Sequence, residues 1–222
     1  MLSHSDLETL FHEFGHCLSA LLSRTQYQHV AGTRAALDFI ETPSTLLENF
    51  IWDPTVIQSF AKHYISRDSI PINLINKMAL SRHLFAGLNM QQQICYSAFD
   101  LLVYQQPEIT IETTKQLMKD LHNKYIDIPF VEGTHYHTQF GHLINYAAGY
   151  YSYLYCKNFS SNIWDHYFKN QPFNKSAGDI LIKQLFNAGG AKNPNLILTN
   201  VLNESPNINN LVNEINNFQN LS

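Results

Sequence analysis

The segment Thr9-Leu10-Phe11-His12-Glu13-Phe14-Gly15-His16 decides the fold and the chemistry that we predict for this chain. It places two histidines four residues apart, with a glutamate directly after the first. On an α-helix, residues i and i+4 lie on one face about one turn apart, so both imidazoles can bind the same metal ion. The glutamate can then take a proton from an attacking water. This pattern is typical of zinc peptidases.

The flanking residues indicate that this segment belongs to a buried helix. Ser5 and Glu8 have the spacing of a capping box, and no proline interrupts the residues that follow. Apolar residues recur there at helical spacing, namely at Leu7, Leu10, Phe11, Phe14, Leu18, Leu21 and Leu22. We therefore predict a helix over about residues 6–23. A helix that merely carries two core histidines is the alternative, and the intervening glutamate favours metal binding instead.

The two histidines need a third ligand, because a catalytic zinc site usually has three protein ligands and an open fourth position. Asp38, Glu41 and Glu48 follow within a mostly apolar stretch. Glu41 is our preferred ligand, but spacing does not separate it from the other two, since all three can share one helical face. Pro43 predicts that a helix begins just before it, with Glu41 in or near its first turn.

A second group combines a histidine with an unusual density of tyrosines. Its members are His142, Tyr146, Tyr150 and Tyr153, which fall on one stripe of a predicted helix. Imidazole and phenol donors can stabilise the negative charge that develops on a carbonyl oxygen in a water-poor site. The alternative is ordinary core packing, in which buried tyrosines only anchor their hydroxyls.

Two segments, residues 9–16 and Asp38-Phe39-Ile40-Glu41-Thr42-Pro43-Ser44, resemble the thimet oligopeptidase family of metallopeptidases. The resemblance runs from residue 1 to about residue 202. Further matches lie at Arg24-Thr25, Tyr27-Gln28-His29-Val30, Gly32-Thr33-Arg34 and Met90-Gln91-Gln92-Gln93. These matches look like the branch of the family that removes an octapeptide from precursor proteins imported into mitochondria.

The resemblance implies a metal site and its base. One Zn²⁺ per chain would bind His12, His16 and Glu41, and Glu13 would be the general base. This supports Glu41 over Asp38 as the third ligand, which spacing alone does not do. The partner would be a peptide or precursor-protein substrate, and the protein would be monomeric.

The resemblance also gives roles to the second group. His142, Tyr146 and Tyr153 would bind substrate and stabilise the oxyanion, and Tyr150 would also bind substrate. The spacing from His142 to Tyr146 is one residue shorter than in the thimet branch, and it looks like that of the mitochondrial branch. If the loop geometry differs, Tyr146 and Tyr150 could exchange roles.

The implied fold is mainly α: the C-terminal part of a zincin-type metallopeptidase, helical and neurolysin-like. Residues 1–202 would form this catalytic portion, and residues 203–222 an asparagine-rich, loosely packed tail. In the family, an upstream half forms the opposite wall of a substrate channel. Periodicity predicts further helices over about residues 44–64, 71–105, 110–124, 142–170 and 196–202.

Composition and short motifs limit the remaining possibilities. A net charge of −4 and a pI near 6.2 argue against a nucleic-acid-binding surface. No apolar run reaches the roughly 18 residues of a membrane span. Cys17, Cys95 and Cys156 form no paired framework, which favours a reducing compartment. We predict His135 and His137 to be surface residues of a loop.

Localisation and activity depend on the resemblance. It implies the mitochondrial matrix, whereas the cytoplasm is the alternative. Two other functions stay open: a cytosolic oligopeptidase that cleaves assorted short peptides by the same mechanism, and an inactive metal-binding fragment.

Overall fold

A computed structural model describes residues 2–216 of the chain. This part is 65% helical, which confirms the predicted mainly α class. Its only strand-like pairing is an isolated bridge between Lys62 and Ser69. The described residues divide into two compact units: residues 2–84 and 156–216, called the first unit, and Phe85–Tyr155, called the second unit. In residues 2–216, no helix is both long and apolar enough to cross a membrane.

Twelve α-helices follow one another along the described residues. In the first unit these are α1 His4–Leu22, α2 Leu37–Ile40, α3 Thr42–Phe50, α4 Pro54–Phe60 and α5 Ile72–Ser81. In the second unit they are α6 Ala86–Val103, α7 Ile111–Tyr125 and α8 His142–Asn145. Then follow α9 Tyr151–Tyr167, which belongs to the second unit up to Tyr155, α10 Lys175–Leu181, α11 Pro194–Leu202 and α12 Ile208–Asn216.

Helix α1 covers the predicted segment but begins earlier than expected. The Ser3 hydroxyl accepts a hydrogen bond from the backbone amide of Asp6, whose carboxylate accepts one from the backbone amide of Ser3. This is the capping box, so its assignment to Ser5 and Glu8 was wrong. The carboxylate of Glu8 instead accepts a hydrogen bond from the indole N–H of Trp52.

The expectation that α1 is buried was also wrong. Only Gly15 and Ser19 are buried on this helix, while Leu10, Phe14 and Leu21 are each more than half exposed. The apolar residues of α1 occupy more than one face of the helix. Periodicity alone therefore does not show which of them pack against other described residues.

Two long predicted helices are each broken in two by local chemistry. Between α3 and α4, the Asp53 side chain accepts hydrogen bonds from two backbone amides, and Pro54 is the first helical residue. This is the usual cap-and-proline start of a new helix. Between α5 and α6, Phe85 adopts a left-handed conformation with φ of 62°. The helix predicted over residues 110–124 matches α7 closely.

The helix predicted over residues 142–170 is broken as well, and here a buried carboxylate is responsible. Asp100, on α6, is fully buried, and its two oxygens accept hydrogen bonds from the backbone amides of Ala148 and Tyr150. Ala148 has a left-handed φ of 56°. These amides are donors that a continuous helix would use internally, so Asp100 holds the chain in a turn between α8 and α9.

We expect Asp100→Asn to destabilise the second unit by about 1–3 kcal/mol, because an amide NH₂ would face a backbone N–H and leave it unpaired in a buried position. Urea denaturation followed by near-ultraviolet circular dichroism would measure the loss. Asp127→Asn is the control, because Asp127 is an exposed carboxylate with one side-chain partner, Gln91. It should change the stability by less than about 0.5 kcal/mol. Equal effects of the two variants would contradict the assigned role of Asp100.

The main core of the first unit lies among α2, α3, α9, α10 and α11. Its fully buried members include Leu46, Ile163, Leu198 and Val201. Sequence periodicity missed α10 and the π-helical turn Ile182–Phe186 that follows it. At the predicted glycine turn, the backbone amide of Gly190 donates to the carbonyl of Val30. A Cβ on Gly190 would overlap the carbonyl oxygen of Arg34, so this position has no room for a side chain.

The asparagine-rich tail is packed more closely than its composition suggested, as far as residue 216. Leu211, on α12, is buried. The buried amide of Asn162, on α9, donates to the carbonyl of Asn207 and accepts from the Asn207 backbone amide and the Asn210 side chain. The rest of the predicted tail, residues 217–222, lies outside the described residues. The division of the chain at residue 202 stays a prediction.

Candidate metal centre

The candidate site lies where α1 and α3 pack side by side in opposite directions. Contacts between the two segments occur at intervals of about one helical turn. They pair His16 with Glu41, Gly15 with Ser44, His12 with Glu48, and Glu8 with Trp52. We call this set of pairs the α1–α3 interface. It brings residues that are 25 to 44 positions apart in sequence into one cluster.

Three potential ligand atoms converge at this interface. His12, His16 and Glu41 each offer one atom, and these atoms lie within 4.8 Å of one another. The Nε2 atoms of the two histidines lie 3.3 Å and 3.2 Å from the same oxygen, Oε2 of Glu41. Glu41 lies between α2 and α3, directly before the helix that carries Pro43 in its first turn, as predicted.

The neighbouring side chains hold two of these ligands in place. Nδ1 of His12 lies 2.6 Å from a carboxylate oxygen of Glu48, which leaves Nε2 for the converging side. A carboxylate on the second ring nitrogen is the usual way in which proteins orient a metal-binding histidine. The Ser44 hydroxyl donates to Oε2 of Glu41 at 2.9 Å. Sequence reasoning had named Glu48 only as an alternative ligand and had missed the role of Ser44.

The electrostatics of the cluster are those of an ion pair. Hydrogen bonds to the carboxylates of Glu41 and Glu48 raise the pKa of His12 to about 10. Burial opposes ionisation of Glu41, but hydrogen bonds from His12 and Ser44 and the charges of the two histidines outweigh it, and its pKa is lowered. A metal ion at this site would therefore replace a proton on His12.

The donor set fits zinc. Two imidazole nitrogens and one carboxylate oxygen are ligands that Zn²⁺ prefers, and three protein ligands match a catalytic site with an open position. Asp38, the other acidic candidate, is not a member of the converging group. Glu13 follows His12 on α1, and its side chain is exposed to solvent. The structure thus brings together the three residues predicted to bind the metal, and Glu13, the predicted general base, is adjacent to His12 in sequence.

The second predicted group assembles within the second unit, although not on one helix. The ring of His142 lies 5.7 Å from that of Tyr146, 5.2 Å from that of Tyr150 and 5.7 Å from that of Tyr153, measured between centroids. Nε2 of His142 lies 3.2 Å from the hydroxyl of Tyr153. The turn held by Asp100 produces this cluster, so the prediction of a helical stripe was wrong while the grouping of the side chains was right.

The tyrosines of this cluster differ in their surroundings. Tyr150 is buried, and its hydroxyl donates to Oε1 of Gln93 at 2.8 Å. Burial raises its pKa, which keeps the phenol neutral. Tyr146 is 46% exposed. The geometry therefore favours an anchoring role for Tyr150 and leaves the Tyr146 ring accessible to a ligand.

Two further buried residues with potential ligand atoms lie outside the converging group. His137, predicted at the surface, is buried and lines an apolar cavity of about 630 Å³ together with Phe99 and Phe140. Cys156 is fully buried beside the backbone of Glu41, and burial raises its pKa to about 11.

Comparison with known proteins places the chain among metallopeptidases. The model of peptidase family M3 matches residues 1–217. The mitochondrial intermediate peptidase of Arabidopsis thaliana is 44% identical over 201 residues, covering 90% of this chain and 28% of that protein. The human mitochondrial intermediate peptidase is 35% identical, covering 96% and 30%. That of Mycosarcoma maydis is 37% identical, covering 92% and 24%. The chain thus spans less than a third of the length of these relatives.

Proposed function

The chain belongs to peptidase family M3, and on this premise we propose that it carries the metal site of a zinc metalloendopeptidase. The observation that carries the proposal is the convergence of His12, His16 and Glu41 within 4.8 Å. The orientation of His12 by Glu48 supports it further. A structural ion pair would be the alternative, but it requires only one imidazole beside Glu41. Here two imidazole nitrogens are directed at the same carboxylate oxygen.

The proposed reaction is hydrolysis of a peptide bond, with one Zn²⁺ held by the two histidines and Glu41. When bound, the metal supplies a Lewis acid that polarises the scissile carbonyl and lowers the pKa of a water. Glu13 accepts the proton of the attacking water and passes it to the leaving amine. Glu48 keeps the tautomer of His12 that presents Nε2.

We assign the oxyanion donors to His142, Tyr146 and Tyr153, with Tyr150 as a further contact to substrate. Their clustering in the second unit and the family resemblance of their segment support this assignment. A phenol or imidazole directed at the developing negative charge stabilises the transition state more than the substrate. The anchored hydroxyl of Tyr150 makes it the weakest candidate of the four.

The proposed substrates are precursor proteins that are processed in the mitochondrial matrix by removal of an octapeptide. Two observations support this: the names of the relatives, which are mitochondrial intermediate peptidases, and their identity of 35–44% over most of this chain. The monomeric state stays a prediction.

The first test is the zinc content of the chain. After dialysis against metal-free buffer, elemental analysis of the purified protein is expected to give about one zinc per chain. His16→Ala should reduce this value to near zero, because two remaining ligands hold zinc weakly. His166→Ala is the matched control, since His166 is an exposed histidine of the first unit, near the end of α9. A wild-type chain without zinc, or a His16→Ala variant that retains it, would contradict the proposed site.

A further inference from the structure

The α1–α3 interface ends in a cluster of side chains around Arg82, the residue that directly follows α5. Nη2 of Arg82 donates to Oδ1 of Asn49 at 2.8 Å. The guanidinium carbon lies 5.5 Å from the ring centroid of Trp52. Arg82 also forms an ion pair with Glu214, on α12, at 3.4 Å. Its side chain is 23% exposed, so these contacts are partly shielded from solvent.

The contact with Asn49 links Arg82 to the residue next to Glu48. Asn49 is buried and directly follows Glu48, the carboxylate that orients His12. Its side-chain amide also donates to the hydroxyl of Ser160, on α9, at 3.2 Å. Arg82 satisfies the remaining carbonyl oxygen of this buried amide, so removing it would leave an unpaired acceptor inside α3.

The contact with Trp52 reaches the other helix of the site. Trp52 lies about one turn beyond Glu48, and its indole N–H donates at 2.9 Å to Glu8, about one turn before His12 on α1. The guanidinium of Arg82 packs against this indole. Arg82 therefore holds two residues that follow Glu48, Asn49 near the end of α3 and Trp52 just beyond it. Trp52 is hydrogen-bonded directly to the helix that carries both histidines.

We propose that Arg82 is a positioning residue of the metal centre: it fixes the end of α3 against α1 and thereby holds Glu48 on His12. The inference rests on the proposed zinc site. Arginine suits this role because its planar guanidinium can donate a hydrogen bond in one direction while its face packs on an aromatic ring. The competing explanation is that Arg82 serves only to anchor α12 through Glu214.

To separate the two explanations, Arg82→Met is compared with two variants that weaken the contacts of α12 but leave those of α3 unchanged. Arg82→Met removes the hydrogen bond to Asn49, the ion pair with Glu214 and the positive charge over Trp52, and keeps an apolar side chain against the indole. Glu214→Gln removes only the ion pair, and Asn162→Ala removes the hydrogen bonds to Asn207 and Asn210. Each protein is measured by zinc affinity in a chelator competition, by the visible spectrum of its Co²⁺ form, and by the melting temperature without metal.

We expect Arg82→Met to weaken zinc binding on the order of tenfold and to change the Co²⁺ ligand-field bands, because a displaced Glu48 alters the geometry of His12. Glu214→Gln and Asn162→Ala should lower the melting temperature and leave zinc affinity within about twofold of wild type. Unchanged affinity and spectrum in Arg82→Met would overturn the proposal, as would equal losses of affinity in all three variants.

Arg82→Lys is a second, milder variant that tests the proposal if Arg82→Met does not fold. Its ammonium keeps the positive charge opposite Glu214, but one ammonium cannot pair with Glu214, donate to Asn49 and cover Trp52 at the same time. We expect zinc affinity between those of wild type and Arg82→Met, and wild-type affinity in this variant would contradict the role of the guanidinium. If wild type itself binds no zinc, the proposed site fails, which is a result distinct from failure of the Arg82 inference.

Discussion

Glu13→Gln is expected to lower peptide turnover by about 10²–10⁴-fold while leaving about one zinc per chain. The amide of glutamine has nearly the shape of the carboxylate but cannot accept a proton from water at neutral pH. Glu13 contributes none of the three converging ligand atoms, so the zinc content should not depend on it. The measurement is kcat on a fluorogenic peptide, together with zinc analysis of the same sample.

The control for this experiment is Glu204→Gln, because Glu204 is an exposed glutamate of the first unit that lies outside the converging group. It should retain wild-type turnover and zinc. Full activity in Glu13→Gln would exclude Glu13 as the general base. Loss of zinc together with activity would instead mean that Glu13 contributes to metal binding, which the proposed division of roles does not allow.

The sequence was sufficient to predict that the side chains of His12 and His16 lie together, because this information is local. A spacing of four residues on a helix fixes the relative positions of His12 and His16 before any tertiary contact forms. The third ligand was harder, since Asp38, Glu41 and Glu48 all fit the spacing. What separates them is the packing of α3 against α1, where Glu48 contacts the far side of the His12 ring while Glu41 contacts its Nε2.

One error in the helix boundaries, the missed break between α8 and α9, has a cause that is not local in sequence. Periodicity records which residues are apolar but not which backbone amides are taken up by side chains from elsewhere. Asp100 contacts Ala148 and Tyr150 across about 50 positions of sequence, and no local pattern around residue 148 indicates this. By contrast, Asp53 followed by Pro54 is a local signal for a new helix that could have been read from the sequence.

Gly15→Ala is expected to destabilise the first unit and to remove zinc binding. A Cβ at this position would lie 2.5 Å from Cα and 2.7 Å from N of Ser44, and 2.8 Å from the carbonyl oxygen of Pro43. All three atoms belong to the backbone, so no side-chain rotation relieves the overlap. Carbon atoms normally approach to about 3.5–4.0 Å, and α1 and α3 would have to separate by about 1 Å.

That separation acts on stability and on the metal site together. Overpacking of this kind typically costs about 1–3 kcal/mol, and the gain in helix propensity from glycine to alanine offsets at most about 1 kcal/mol. The pairs His16–Glu41 and His12–Glu48 cross the same interface on either side of Gly15. A shift of about 1 Å exceeds the tolerance of about 0.2 Å that metal–ligand distances allow.

Gly178→Ala gives a control of opposite sign. Gly178 lies within α10 of the first unit, and a Cβ there would meet nothing within 4 Å. Because the strain is absent, this substitution should stabilise the protein by up to about 1 kcal/mol and leave zinc unchanged. Denaturant unfolding and zinc analysis of both variants test the assignment. If Gly15→Ala behaved like Gly178→Ala, the close approach of α1 to α3 could not be what holds the histidines opposite Glu41.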